Sequence, residues 1–376
     1  VKWDVEAFEL SPDGRTLAVV HNAAGSSNLR FIDAATGEPA VQFAANFKLP
    51  IGVLRSLKWH RSGAELVYDL DWALSPGIIR SLRAGQNQPT HWAASDTGEL
   101  DLSRISIPAM RKLRSIDRLE FDSVVYLPGK SVNGNFIPQK SARSRPVIIL
   151  FHGGPESQFR PRFMGRLNYF MSEQGCALIC PNVRGSRGYG KKFLKADNGI
   201  ARATVMWDIQ RLRNAIAADP AFDAKRIAVM GGSYGGFMAL HSMVVMNSFP
   251  ACGVDVVGIS NFVTFLENTS DYRRDLRRAE YGDERDLEMR KFLQELSPLT
   301  HVNEITKPML IVQGANDPRV PTSEACARRR KEEQQTAAQT VREAPPRRMR
   351  SCGCACWRPR CSRCRHRPAR TPGICP

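Results

Sequence analysis

The sequence predicts a doubly wound α/β sheet preceded by a partial β-propeller of about two blades. Two observations carry this expectation. Short strand–turn–strand units recur near the start of the 376-residue chain, and apolar β-rich runs alternate with helix-length stretches through its middle. An apolar fraction of 42% is ample for a large buried core.

Residues 1–112 form the propeller segment. "VEAFEL", Ser11-Pro12-Asp13-Gly14 and "TLAVVH" read as strand, turn, strand, because Pro presets one turn dihedral and Asp-Gly tolerates the reversal. The pattern returns 49 residues later as "VLRSLKW", His60-Arg61-Ser62-Gly63 and "AELVYDL", with Gly63 in the place of Gly14. A repeat of this length built from short strands suggests propeller blades, and two blades are too few to close a ring. An irregular β-sandwich is the alternative.

Residues 113–325 carry the α/β pattern. "PVIILF" (146–151), "ALICP" (177–181), "RIAVM" (226–230), "VDVVGIS" (254–260) and "PMLIVQG" (308–314) are nearly uniform apolar runs. Parallel strands covered on both faces have this composition. "ATVMWDIQRLRNAIAA" lies between two of them, with apolar residues three and four apart as on a helix. Cys176, Cys180 and Cys252 sit in apolar stretches and are expected to be buried free thiols.

Residues 326–376 differ in kind. They hold 14 Lys and Arg against 3 Asp and Glu, so the tail supplies +11 of the net +17 and the rest of the chain about +6. Seven of the ten cysteines are here, and Leu, Phe and Tyr are missing. A segment that buries so little apolar surface is expected to be disordered. The abrupt change reads as a shifted reading frame or an altered C-terminus. At the other end the chain opens on Val1 with no basic-then-apolar signal segment, so its start reads as processed or truncated. A cytoplasmic location is favoured over a periplasmic one. No run of 18 apolar residues occurs.

The chemistry is concentrated in the middle segment. Gly231-Gly232-Ser233-Tyr234-Gly235 fits G-x-S-x-G, with a strand leading in and the apolar helix "GFMALHSMVVM" leading out. In that setting the turn projects the Ser233 hydroxyl above the sheet as a nucleophile. His152-Gly153-Gly154-Pro155 follows the strand at 146–151, where a glycine-rich turn can aim a backbone N–H at a developing oxyanion. The N–H of Tyr234 would be the second donor. His152 itself is expected to brace the loop, since this chain order places the base after the acid. Asp317, in "PMLIVQGANDPRVP", follows a late strand, the place for the acid that orients a histidine. A plain Asn-Asp-Pro turn is the alternative for Asp317.

"LFHGGPESQF", "PNVRGSRGYGKKF", "RIAVMGGSYGGFMAL" and "LIVQGANDPRVP" together resemble the catalytic domain of the prolyl oligopeptidase family, in its acylaminoacyl-peptidase and dipeptidyl-aminopeptidase-like branch. The resemblance implies an α/β-hydrolase sheet behind an N-terminal propeller that restricts access to short peptides. It implies Ser233 as nucleophile, Asp317 as orienting acid, and the N–H groups of Gly154 and Tyr234 as oxyanion donors. Arg319 matches a position that holds a substrate carbonyl in some relatives. The expected partner is a short peptide, with no nucleic acid, membrane, metal or cofactor.

The pattern breaks after Ala325. The family's histidine should follow Asp317 in a glycine-flanked loop, yet the only later histidine is His366, in "CSRCRHRPAR". Without a base, serine is a poor nucleophile, so activity is expected to be very low or lost. A carboxylesterase on the same fold, a peptide-binding pseudoenzyme, and a protein acting through its basic tail are the alternatives. In the last case Arg328-Arg329-Arg330-Lys331 would contact phosphates, or Cys361-x-x-Cys364 with Cys352, Cys354 and Cys356 would bind zinc, although that spacing fits no regular zinc module.

Overall fold

In the computed structural model, residues 3–43, 49–132, 135–139, 144–246, 248–314, 316–317 and 320 are described. Arg319, His366 and the tail from Cys326 onward lie outside them.

Two antiparallel meanders open the chain. The first runs β1 (Asp4–Leu10), β2 (Thr16–Ala23), β3 (Ser26–Asp33). The second runs β4 (Gly52–Trp59), β5 (Glu65–Trp72), β6 (Ser75–Arg83), β7 (Thr90–Ala94). The turns that suggested a repeat are built alike. Gly14 and Gly63 take φ of +71° and +70°, and each N–H closes the turn on a carbonyl three residues back, Ser11 at 2.8 Å and His60 at 2.9 Å. Only glycine holds that conformation without strain. The inward faces of both meanders share one core, in which Phe31 stacks on Phe43 at 4.5 Å and Trp59 meets Phe43 edge-on at 5.2 Å. These are two sheets of blade form, and the ring they would belong to is not closed by them.

The chain then enters a seven-stranded mixed sheet of order β16-β15-β14-β12-β13-β9-β8. Its strands are β8 (Ala109–Arg114), β9 (Glu120–Tyr126), β12 (Arg145–Phe151), β13 (Ala177–Asn182), β14 (Phe222–Gly232), β15 (Cys252–Val256) and β16 (Met309–Val312). A separate hairpin, β10 (Gly129–Val132) with β11 (Asn135–Pro138), lies between β9 and β12 in sequence. The strands from β13 through β16 pair in parallel with their neighbours around a central β12, and β9 and β8 add an antiparallel edge.

Helices cover the sheet: α1 (Asn168–Ser172), α2 (Lys191–Leu194), α3 (Val205–Ala218), α4 (Tyr234–Val245), α5 (Phe262–Asn268), α6 (Asp271–Tyr281) and α7 (Leu287–Leu296). On α3 the buried apolar stripe is Val205, Ile209, Leu212 and Ile216, the spacing of one helical face. Helix α4 is buried almost all round, because it packs against both β14 and β15. The architecture is an α/β-hydrolase sheet behind a partial propeller.

Two expectations are corrected in detail. Cys180 is buried, but Cys176 and Cys252 are only partly so: Cys176 stands in the turn ahead of β13, and Cys252 is the first residue of β15. The run at 308–314 was expected to be covered on both faces. Among the described residues β16 is the sheet's edge, and Leu310 and Val312 on one face are exposed.

Candidate active site

Ser233 stands where β14 ends and α4 begins, with φ +57° and ψ −120°. A non-glycine residue at positive φ is strained by about 1–3 kcal/mol and persists only where its surroundings fix it. Here the Ser233 N–H donates to the Val256 carbonyl at 3.0 Å, and its own carbonyl accepts from the N–H groups of Gly236 and Phe237 at 2.9 and 3.1 Å. The side chain is partly exposed, and its hydroxyl makes no hydrogen bond to the described residues.

The flanking glycines follow from this turn. A Cβ on Gly231 would lie 2.1 Å from the Gly235 carbonyl oxygen, and one on Gly235 would lie 2.3 Å from that of Phe151. No side chain fits at either place. Gly232 is different, since its nearest contact would be 3.5 Å away.

The turn after β12 sits over the serine. A Cβ on Gly153 would lie 3.4 Å from the Ser233 Cβ. Gly154 has φ +119°, and a Cβ there would meet the backbone nitrogens of Glu156 and Ser157 at 2.9 and 2.8 Å. Its carbonyl is held from the other side, by the Tyr281 hydroxyl at 3.2 Å and Arg277 Nη1 at 3.5 Å. Tyr234 is the first residue of α4, so its N–H has no acceptor within the helix. A free helix-terminal N–H and a glycine turn therefore flank the serine.

His152 does not approach the serine as a base. The Gly153 carbonyl can only accept, so Nδ1 carries the proton and donates to it at 2.8 Å, while Nε2 meets the Ser186 hydroxyl at 2.9 Å. Burial pushes its pKa down to about 4, against a smaller opposing effect of the Gly153 carbonyl. Both ring nitrogens are engaged, as a loop brace requires.

Asp317 lies at the same edge of the sheet as the serine. Gly232, Val256 and Val312 are register partners across β14, β15 and β16. Ser233 follows the first directly, and Asp317 follows the third by five residues. The carboxylate is partly buried, and its Oδ1 accepts from the Val320 N–H at 3.2 Å.

Sequence reasoning missed a buried cluster behind the two glycine turns. Arg202 and Asp197 are fully buried and paired at 2.8 Å. The Arg202 guanidinium lies over the rings of Tyr234 at 5.2 Å and Tyr281 at 4.4 Å. Burial pushes the Asp197 carboxyl up, against the pull of Arg202. Beside this cluster a cavity of about 520 Å³ is lined by charges of both signs, Glu156, Glu280, Lys195, Arg273 and Arg277 among them. Nothing in the local sequence separates Arg202 from a surface arginine.

The prolyl oligopeptidase family model matches residues 161–338. "Dipeptidyl peptidase family member 6" of Caenorhabditis elegans is 36% identical over 193 residues, covering 50% of this chain and 25% of its own. "Dipeptidyl aminopeptidase BIII" of Pseudoxanthomonas mexicana is 37% identical over 183 residues, covering 48% and 26%. The chain thus spans about a quarter of the length of these curated relatives. Among solved structures, a puromycin-hydrolysing peptidase of Mycobacterium tuberculosis superposes with TM-score 0.74 at 22% identity, over 87% of this chain and 48% of that one. The Pyrococcus horikoshii acylaminoacyl peptidase does so with TM-score 0.72 at 20% identity, over 89% and 50%. At that identity the structures speak for the fold, while the sequence matches show residues 161–338, a little under half of the chain, to be similar to the prolyl oligopeptidase family.

Proposed function

We propose that this chain carries the acyl-transfer half of a serine peptidase acting on short peptides. Ser233 is the nucleophile, and the Gly154 and Tyr234 N–H groups stabilise the oxyanion. Asp317 is the acid that orients the base, and Arg319 holds a substrate carbonyl. The carrying observation is the strained Ser233 turn, with a partly exposed hydroxyl lying under Gly153. The Ser233 Oγ attacks the scissile carbonyl, the oxygen gains negative charge, and two fixed donors meet it without reorganising. Losing one such donor costs about 3–4 kcal/mol in the transition state.

The base is the weak part of the machinery. His152 is occupied as a brace, and His366 is the one histidine after Asp317 in the sequence. In a comparable triad, loss of the histidine costs about 10⁶ in rate. We expect turnover by these 376 residues to be slow on that scale. The cavity beside the glycine turn favours peptide over an apolar ester, because its lining can meet charges of either sign.

A fluorophosphonate probe tests the assignment, since it captures irreversibly a serine held beside oxyanion donors, even one that reacts slowly for want of a base. Labelling of the parent that disappears in Ser233→Ala is the expected result. Incubation must be long, because a missing base leaves Ser233 a slow nucleophile; equal labelling of both proteins, or none of a folded parent after that incubation, would overturn it. A comparison of aminoacyl amides with acetate esters separates peptidase from esterase.

A further inference from the structure

We infer that Arg202 is a positioning residue that fixes both oxyanion donors through two aromatic side chains. The inference rests on the assignment of the Gly154 and Tyr234 N–H groups as those donors.

Two paths leave the buried guanidinium. One reaches Tyr234: Arg202 lies 5.2 Å over its ring, Nη1 pairs with Asp197 Oδ2 at 2.8 Å, and that same oxygen accepts from the Tyr234 hydroxyl at 3.3 Å. The ring is thereby held at its face and at its tip. The second reaches Gly154: Arg202 lies 4.4 Å over the Tyr281 ring, Nη2 donates to the Glu280 carbonyl at 3.0 Å, and the Tyr281 hydroxyl donates to the Gly154 carbonyl at 3.2 Å. One cation thus ties the first residue of α4 to the turn after β12.

The need for such a clamp is physical. Ser233 and Gly154 both hold positive φ, at +57° and +119°. A strained serine turn relaxes unless its neighbours over-determine it. A donor must also point to where the oxyanion will be, and a displacement of about 1 Å costs on the order of a hundredfold in rate. Fully buried arginine suits the task, because its planar group stacks on two rings while donating in its own plane. Lysine offers a point charge and cannot do both.

Saturation kinetics of fluorophosphonate labelling test the inference in the full chain. Arg202→Lys keeps a cation beside Asp197 and loses the planar stack. Tyr281→Phe keeps the ring and loses only the bond to Gly154. Each is expected to lower the maximal labelling rate constant between about 10- and 100-fold, with probe affinity and melting temperature near those of the parent. The double variant should be no slower than Arg202→Lys alone, since the Tyr281 bond to Gly154 lies on one of the two paths that Arg202 already holds. Tyr281→Phe serves alone if Arg202→Lys does not fold. Labelling of the variants at the parent rate, or a loss confined to probe affinity, overturns the inference and leaves the hydrolase reading intact. A folded parent that takes no label on prolonged incubation overturns both.

Discussion

Ser233 and its glycines were legible because steric limits write themselves into sequence. No residue but glycine fits at 231 or 235 once the turn has formed, and a serine between glycines after a strand is therefore a readable sign. Gly235→Ala would force its methyl to within 2.3 Å of the Phe151 oxygen. We expect the variant to lose about 3 kcal/mol or more in a urea titration, together with all Ser233 labelling. Normal stability and labelling would show that the turn is not built as described. His241, also missed in the sequence, sets a pH dependence. Burial, aided by the nearby charge of His301, pushes its pKa down from 6.5 to about 4. The unfolded chain takes up this proton near pH 6.5 and the native state resists it to about pH 4. Stability from this group is therefore complete above that window and falls by up to about 1.4 kcal/mol per pH unit on descending through it. Glu295 and Glu304 line the cavity that His241 faces, together with His301. His241→Met should flatten the pH profile of urea unfolding between 6.5 and 4; an unchanged slope assigns it elsewhere.

At the scale of elements, apolar runs marked the strands of the parallel core, and the 146–151 run became β12 with one residue added. The antiparallel edge was not marked. β8, "AMRKLR", is half polar and largely exposed, and β9 buries Asp122 and Ser123, so neither has the period of a covered strand. Buried charge was equally illegible, because its partners lie far off in sequence. Arg184, in the loop after β13, pairs with Asp208 of α3 at 2.7 Å and with Asp117 of the β8–β9 turn at 2.9 Å. It also donates to Ser115 and Thr204. This one side chain joins a sheet loop, a helix and an edge hairpin. Arg184 and Asp208 are both almost wholly buried, so removing one leaves an uncompensated charge. Asp208→Ala is expected to cost about 3 kcal/mol, read from the urea midpoint. A cost near zero would mean that Asp117 alone satisfies the arginine.

Across the whole molecule, the blades and the α/β sheet meet at polar groups whose spacing no sequence period encodes. Arg160, in the loop that continues from the Gly154 turn, is buried against the first blade. It donates to the Gly25 carbonyl at 2.7 Å and to the Ser27 hydroxyl at 3.1 Å, and it pairs with Glu6 at 2.7 Å. Asn22 donates to Gln158 at 2.8 Å beside it, and the Phe163 N–H donates to Asp71 of the second blade at 3.1 Å. A loop that starts over Ser233 is thus fastened to both blade sheets within about a dozen residues, and it can transmit stability between them. The parent should unfold in one transition by near-UV and far-UV circular dichroism. Arg160→Ala removes three of these contacts, leaves the Gly25 carbonyl without its donor and leaves Glu6 with Asn22 alone. We expect two separated transitions, the first reported by Trp59 in the shared blade core, with Ser233 labelling lowered before the second begins. A single transition at the parent midpoint would show that the apolar surfaces couple the two parts without this arginine.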